Sequence, residues 1–62
     1  MKRYALLEHL KTEGCALLRE GGRHSIWVNS ATNAVAPVPR HSEIDNRLAE
    51  KICQQLGVVQ PR

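Results

Sequence analysis

The glycine pair Gly21-Gly22 constrains the fold of this chain more than any other feature of its sequence. Two short apolar stretches flank the pair, Cys15–Glu20 before it and Ser25–Asn29 after it. Glycine reaches backbone angles that other residues avoid, so this arrangement predicts a tight turn between two antiparallel strands. Arg23 and His24 follow the glycines directly. We therefore expect a hairpin that carries a cation and a titratable imidazole at its turn.

Side chains alternate between the two faces of a strand, so the second apolar stretch divides into two sets. His24, Ile26 and Val28 share one face, and Ser25 and Trp27 share the other. Trp27 is the largest apolar side chain of the sequence, so we expect it to point into the core. That orientation leaves His24 on the open face of the sheet.

The first and third strands are less regular in sequence. Leu17 and Leu18 are expected on opposite faces of the first strand. A third strand is predicted at Val35–Val38. Pro37 lies within it and has no N–H to donate to a neighbouring strand, so this strand is predicted at an edge of the sheet.

Two amphipathic helices are predicted at the ends of the chain, at residues 2–13 and 45–56. The apolar positions of the first helix are Tyr4, Leu6, Leu7 and Leu10. Those of the second helix are Leu48, Ala49, Ile52, Cys53 and Leu56. Gly14 and Gly57 stop these helices, and Asp45 is the predicted N-cap of the second.

The element order α-β-β-β-α predicts an α+β domain of two layers, with a three-stranded antiparallel sheet and both helices on one face. Double-stranded-RNA-binding domains have this layout. We assign residues 1–58 to a single domain and expect residues 59–62 to form a frayed tail. With 62 residues such a domain is marginally stable by itself, which favours a bound partner.

Positive charge is concentrated in the middle of the chain, which carries most of the net charge of +3. Between Arg19 and His41 the sequence holds the arginines Arg19, Arg23 and Arg40, and Glu20 is the only acid. A local basic patch is typical of a nucleic-acid-binding surface, and the alternative is an ordinary solvated face. Only 3% of the residues are aromatic, which argues against RNA binding by stacked aromatic side chains on a sheet.

Cys15 and Cys53 are the only cysteines, and each falls in an apolar pattern. We find no signal-peptide pattern before them and therefore expect free thiols in the reducing cytoplasm. No apolar run is long enough for a membrane span. The histidines and cysteines show no metal-ligand spacing, and no acidic cluster would hold magnesium, so we expect neither a metal nor a cofactor.

Two motifs resemble those of HicA-type toxins, the small mRNA-cleaving partners in toxin–antitoxin pairs. The first motif runs from Glu13-Gly14-Cys15 through Arg19 to Gly21-Gly22-Arg23-His24 and Trp27. The second is Val38-Pro39-Arg40-His41 with Glu43-Ile44, followed by Leu48, Ile52-Cys53 and Leu56-Gly57. The resemblance extends over nearly the whole chain, and the spacing of both motifs fits the family's pattern.

The resemblance implies a fold, a catalytic residue and a partner. The family shares the α-β-β-β-α arrangement, and His24 stands at the position of its catalytic histidine. Its known partner is a HicB-type antitoxin, which binds the toxin in a hetero-oligomer and blocks its site. The chain departs from the family at Arg23, where serine or asparagine is usual. This arginine could strengthen phosphate binding, or could weaken the toxin by repelling a protonated histidine.

The residues around the glycine turn are also compatible with RNA cleavage on chemical grounds. Cleavage needs a base for the proton of the 2′-hydroxyl, donors for the phosphate oxygens and an acid for the leaving oxygen. His24 is the predicted base or acid, because imidazole titrates near neutral pH. His41 is the candidate for a second proton carrier, and its alternative role is to fix the approach to the last helix. The predicted RNA- or phosphate-binding residues are Gly22, Arg23, Arg19, Arg40 and His41.

Two other classes of function stay open at this point. A non-catalytic RNA-binding module would use the same basic face and the same fold. An inactive toxin would act only by binding its antitoxin. The titratable group of His24 separates catalysis from both alternatives, because binding alone needs cations but no proton carrier.

Overall fold

The computed structural model describes residues 1–61 of the chain. The strands form one antiparallel sheet in the order β1-β2-β3. The predicted order of elements is confirmed, and β3 lies at an edge of the sheet, as expected from Pro37. The elements are α1 (Arg3–Thr12), β1 (Cys15–Glu20), β2 (His24–Asn29), β3 (Val35–Pro39) and α2 (Asn46–Leu56).

The hydrophobic core lies between the sheet and the two helices. In β2, Ser25, Trp27 and Asn29 are buried, whereas His24 is exposed. The predicted orientation of this strand is therefore confirmed, with Trp27 in the core and His24 on the open face. The core residues are Leu6, Leu10, Cys15, Trp27, Ala36, Val38, Ile44, Ala49, Ile52, Cys53 and Leu56.

Helix α1 packs on the core through Leu6 and Leu10, which are fully buried, and Leu7 lies at the margin. Tyr4 is 72% exposed, so its predicted place in the apolar stripe is wrong. Successive residues of an α-helix are about 100° apart around the axis, which puts Tyr4 on the side opposite Leu6. The buried face of α1, defined by Leu6 and Leu10, is too narrow to include Tyr4.

Helix α2 is capped at both ends as predicted. The carboxylate of Asp45 accepts a hydrogen bond of 2.7 Å from the amide of Arg47. Gly57 closes the helix in the left-handed region, with φ at 72°. Leu48 is exposed, so it lies at the edge of the predicted stripe instead of in the core. The buried positions of the helix are Ala49, Ile52, Cys53 and Leu56.

A β-bulge at Leu18 interrupts the alternation of side chains in β1. Leu17 pairs with Trp27, and the next pair in the register is Arg19 with Ile26. Leu17 and Leu18 are both exposed, although Leu17 pairs with buried Trp27. The bulge adds one residue without a partner opposite, and this reverses the faces of the residues that follow. Arg19 consequently shares the open face with Ile26.

Hydrogen bonds join both ends of the described chain to the domain. The Arg3 amide donates to the Ser42 carbonyl oxygen over 2.9 Å. Nε2 of His9 lies 2.7 Å from the carbonyl oxygen of Val59. Of the predicted frayed tail, residues 59–62, the last position lies outside the described residues. Within residues 1–61, every helix is too short or too polar to cross a membrane.

Candidate functional site

The turn between β1 and β2, residues 21–23, is tight because Gly21 approaches the backbone of His24. The Gly21 amide donates to the His24 carbonyl oxygen over 2.8 Å. A Cβ added at Gly21 would lie 2.9 Å from that oxygen, whereas one at Gly22 would meet open space. The glycines with positive φ are Gly14 and Gly57, so the expectation that the glycine pair needs unusual backbone angles is wrong. Close approach is the reason for glycine at position 21.

His24 and Arg19 lie on the open face of the sheet, in neighbouring rows. His24 pairs with Pro39 on one side and meets Gly21 on the other, while Arg19 pairs with Ile26 in the next row. Arg19 Nη1 lies 4.0 Å from the position of a Cβ on Gly21. The guanidinium of Arg19 therefore extends into the row of His24, over a position that carries no side chain.

Arg40 lies at the end of β3 and binds the turn itself. Its Nη1 donates to the Gly22 carbonyl oxygen over 2.8 Å, and its Nη2 donates to the Gly21 carbonyl oxygen. The same Nη2 lies 2.7 Å from Oε1 of Glu20, and Nε donates to that oxygen over 3.3 Å. Most of the hydrogen-bond donors of the guanidinium are therefore already used within the chain. The predicted phosphate contact of Arg40 stays a prediction.

Glu20 connects Arg40 to the helical side of the sheet. Its carboxylate accepts a hydrogen bond of 2.7 Å from the hydroxyl of buried Ser25, which in turn accepts one of 2.9 Å from Arg3 Nη2. Arg3 Nε also donates to the Pro39 carbonyl oxygen over 2.8 Å. The hydrogen bonds from Arg40 and then Ser25 lower the pKa of the Glu20 carboxyl.

Sequence reasoning missed the roles of Glu20, Ser25 and Arg3. One signal was available, because Glu20 is the only acid in the basic middle of the chain. Glu20 directly precedes the glycine pair, so its carboxylate is well placed to pair with an arginine near the turn. No local pattern indicated Arg3 or Ser25, since their contacts join residues that are far apart in sequence.

The remaining predicted residues gather at an open recess at the end of the sheet, lined by Gly22, Arg23, Arg40 and His41. All four are exposed. Arg19 and Arg23 form no ion pair within residues 1–61, in contrast to Arg40. The predicted site therefore has two parts. Arg19 and His24 occupy the open face, and the other four residues surround the recess beside it.

Cys15 and Cys53 lie in the core, away from this site. Both are buried free thiols, as predicted. Burial raises the pKa of each thiol, which disfavours the reactive thiolate. In the described part of the chain, the histidine, cysteine and acidic side chains form no group of three that could hold a metal ion.

Comparison with known proteins identifies the family. A family model described as the HicA toxin of bacterial toxin–antitoxin systems matches residues 5–58, which include most of α1, all of α2, the sheet and the glycine turn. No curated protein and no solved structure matched the chain. The matched segment covers most of the 62 residues and agrees with the resemblance carried by the two motifs. The chain therefore belongs to the HicA family, the toxins of bacterial toxin–antitoxin systems.

Proposed function

We propose that this toxin is an endoribonuclease that cleaves mRNA without a metal ion and uses His24 as its catalytic residue. The observation that carries the proposal is the position of His24. Its side chain is exposed on the open face. The Arg19 guanidinium extends into its row from the adjacent one, and the Gly22 and Arg23 amides precede it in sequence. This arrangement supports a surface on which His24 transfers a proton while the neighbouring donors bind phosphate.

The proposed reaction is attack by an RNA 2′-hydroxyl on the neighbouring phosphate. A base removes the proton of the attacking hydroxyl, and an acid returns a proton to the leaving oxygen when its bond to phosphorus breaks. His24 supplies one of these transfers. Arg19, Arg23 and the amides of Gly22 and Arg23 bind the phosphate oxygens, where negative charge accumulates. His41 is the candidate for the other transfer, and it lines the recess together with Gly22 and Arg23.

The family implies an antitoxin partner. We propose that this partner is of the HicB type, that it binds the toxin in a hetero-oligomer and that it covers the recess together with His24. Arg19 and Arg23, which form no ion pair in the described part of the chain, would attract carboxylates of such a partner. Action on mRNA would place the toxin in the cytoplasm, where buried cysteines stay reduced.

Cleavage of RNA by the purified toxin tests the proposed activity. We expect cleavage of RNA in the presence of EDTA, no cleavage of DNA, and loss of cleavage when the HicB-type antitoxin is added. Complete loss of RNA cleavage in EDTA would contradict the metal-free mechanism. RNA binding without cleavage would indicate a binding module, and antitoxin binding with neither property would indicate an inactive toxin.

A further inference from the structure

The guanidinium of Arg40 holds two consecutive carbonyl groups of the β1–β2 turn. Nη1 binds the carbonyl oxygen of Gly22 at 2.8 Å, and Nη2 binds that of Gly21. Both carbonyls therefore point towards one planar group. Arg40, which was predicted to bind a phosphate, therefore donates these hydrogen bonds to the backbone of the turn before His24.

The direction of these carbonyls determines the direction of two amides. In a trans peptide the C=O and N–H of one unit point in opposite directions, and residues 1–61 contain no cis peptide bond. The Gly21 carbonyl shares its peptide unit with the Gly22 amide, and the Gly22 carbonyl shares one with the Arg23 amide. Both amides consequently point away from Arg40. Within residues 1–61 neither amide donates a hydrogen bond, and both residues are exposed.

Two adjacent amides that point in one direction from an exposed turn form a small anion-binding concavity. Its ligand would be a phosphate oxygen, which such backbone groups bind well. The Arg23 amide belongs to the residue directly before His24, so this concavity adjoins the start of β2. The two amides share their peptide units with the Gly21 and Gly22 carbonyls, which accept hydrogen bonds from Arg40.

Glu20 fixes Arg40 from the other side. Its Oε1 accepts from Nη2 at 2.7 Å and from Nε at 3.3 Å, and it also accepts from the buried hydroxyl of Ser25 at 2.7 Å. Ser25 lies in β2 and is held by Arg3 of α1. The carboxylate therefore has a fixed position in the domain, and the guanidinium fork transmits that position to the turn.

We infer that Arg40 and Glu20 are positioning residues that orient the Gly22 and Arg23 amides to bind a phosphate group beside His24. The inference rests on the proposed cleavage of RNA for its purpose, but the phosphate site itself can be tested without RNA. It replaces a direct contact between Arg40 and phosphate by an indirect role through the backbone.

The two roles of Arg40 make opposite predictions for simple substitutions. Lysine binds phosphate as a point charge, so Arg40→Lys would keep much of a direct contact. An ammonium group cannot reproduce the planar fork, so the same variant would release the turn if Arg40 positions it. Glu20→Gln would free Arg40 and remove a repelling charge, which would favour a direct contact. If Arg40 instead positions the turn, Glu20→Gln would loosen the turn and weaken phosphate binding.

The test is a titration with inorganic phosphate, followed through the backbone amide signals of Gly22 and Arg23 by NMR. In the unmodified chain we expect both signals to shift and saturate. Arg40→Lys and Glu20→Gln are each expected to weaken phosphate binding about tenfold, since misplaced groups lose binding and catalysis steeply. The double variant is expected to be no weaker than the weaker single variant, because both act through one contact.

The control is Lys51→Met, which removes one positive charge from an exposed site on α2 that forms no ion pair within residues 1–61. It should bind phosphate as the unmodified chain does. Equal or tighter binding by Glu20→Gln, or binding retained in Arg40→Lys, would overturn the inference in favour of a direct contact. An absence of amide shifts in the unmodified chain would also overturn it.

Two further measurements separate the possible failures. Thermal melting reports whether each variant folds. If Glu20→Gln melts early, Arg40→Lys decides the test by itself, because it keeps the charge at an exposed site. RNA cleavage is measured with the same variants and should fall with phosphate binding. An unmodified chain that binds phosphate at these amides but leaves RNA intact would reject the proposed function and leave the phosphate site standing.

Discussion

The Cβ position of Gly21 lies 2.9 Å from the carbonyl oxygen of His24. A Cβ at the neighbouring Gly22 would meet open space, so an added methyl group should be tolerated at Gly22 but not at Gly21. We expect Gly21→Ala to destabilise the domain by about 1–3 kcal/mol, the usual cost of forcing an extra carbon into a filled space. Gly22→Ala should melt close to the unmodified chain. Equal melting temperatures for the two variants would contradict this account of the turn.

Local sequence signals were sufficient for most of the fold. Asp45 and Gly57 delimit α2 through contacts within the helix or next to it, so their residue types indicated the helix ends correctly. The orientation of β2 followed from the size of Trp27. These features depend on residues that are neighbours in sequence, which is why a pattern could find them.

The bulge at Leu18 and the contacts of Arg40 could not be predicted from local patterns. The bulge decides that Arg19 shares the open face with Ile26, and it depends on the register between two strands. Arg40 reaches Gly22 across 18 positions of the chain. Both features result from tertiary packing, so local patterns could not predict that the candidate residues divide between the open face and the recess.

The core cysteines should be dispensable for chemistry. Cys15 and Cys53 are buried, and burial raises the pKa of both thiols. Replacing both by alanine should cost roughly 0.5–1.5 kcal/mol at each site, the range for small truncations in a core. Denaturant unfolding measures that cost. RNA cleavage by the folded double variant should equal that of the unmodified toxin, and a folded but inactive variant would show that a thiol takes part.

The contact between Glu20 and Arg40 predicts a pH dependence of stability. The hydrogen bonds from Arg40 and Ser25 lower the pKa of the Glu20 carboxyl in the folded chain. A lowered pKa stabilises the fold above the pKa of the unfolded chain, and this contribution disappears as the pH falls through the folded-state pKa. Glu20→Gln should therefore lose less melting temperature on acidification than the unmodified chain.

The matched control for this experiment is Glu50→Gln, because Glu50 is exposed on α2 and forms no ion pair within residues 1–61. Its melting curve should follow the unmodified chain at every pH. An acid profile of Glu20→Gln that is identical to that of the unmodified chain would mean that the contact with Arg40 is not maintained in solution.

Association with the antitoxin should depend on the charge of Arg23. This residue is exposed at the recess and unpaired within residues 1–61, so an inhibitor that covers the site would pair it with a carboxylate. Arg23→Glu is expected to slow association, and added salt to slow it for the unmodified chain. Lys51→Glu makes the same charge change on α2 and should leave the rate nearly unchanged. Association that is indifferent to Arg23→Glu and to salt would place the antitoxin on another surface.

The central claim is that His24 carries out proton transfer in RNA cleavage. The most direct measurement is the rate of RNA cleavage by His24→Ala, beside His9→Ala, which removes a histidine of α1 that contacts Val59 away from the site. His24 is exposed, so its removal should leave the melting temperature unchanged. We predict that His24→Ala lowers the cleavage rate at least about 100-fold, as expected for loss of a general acid or base, and that His9→Ala retains it. Cleavage by a folded His24→Ala at the rate of the unmodified toxin would contradict the account.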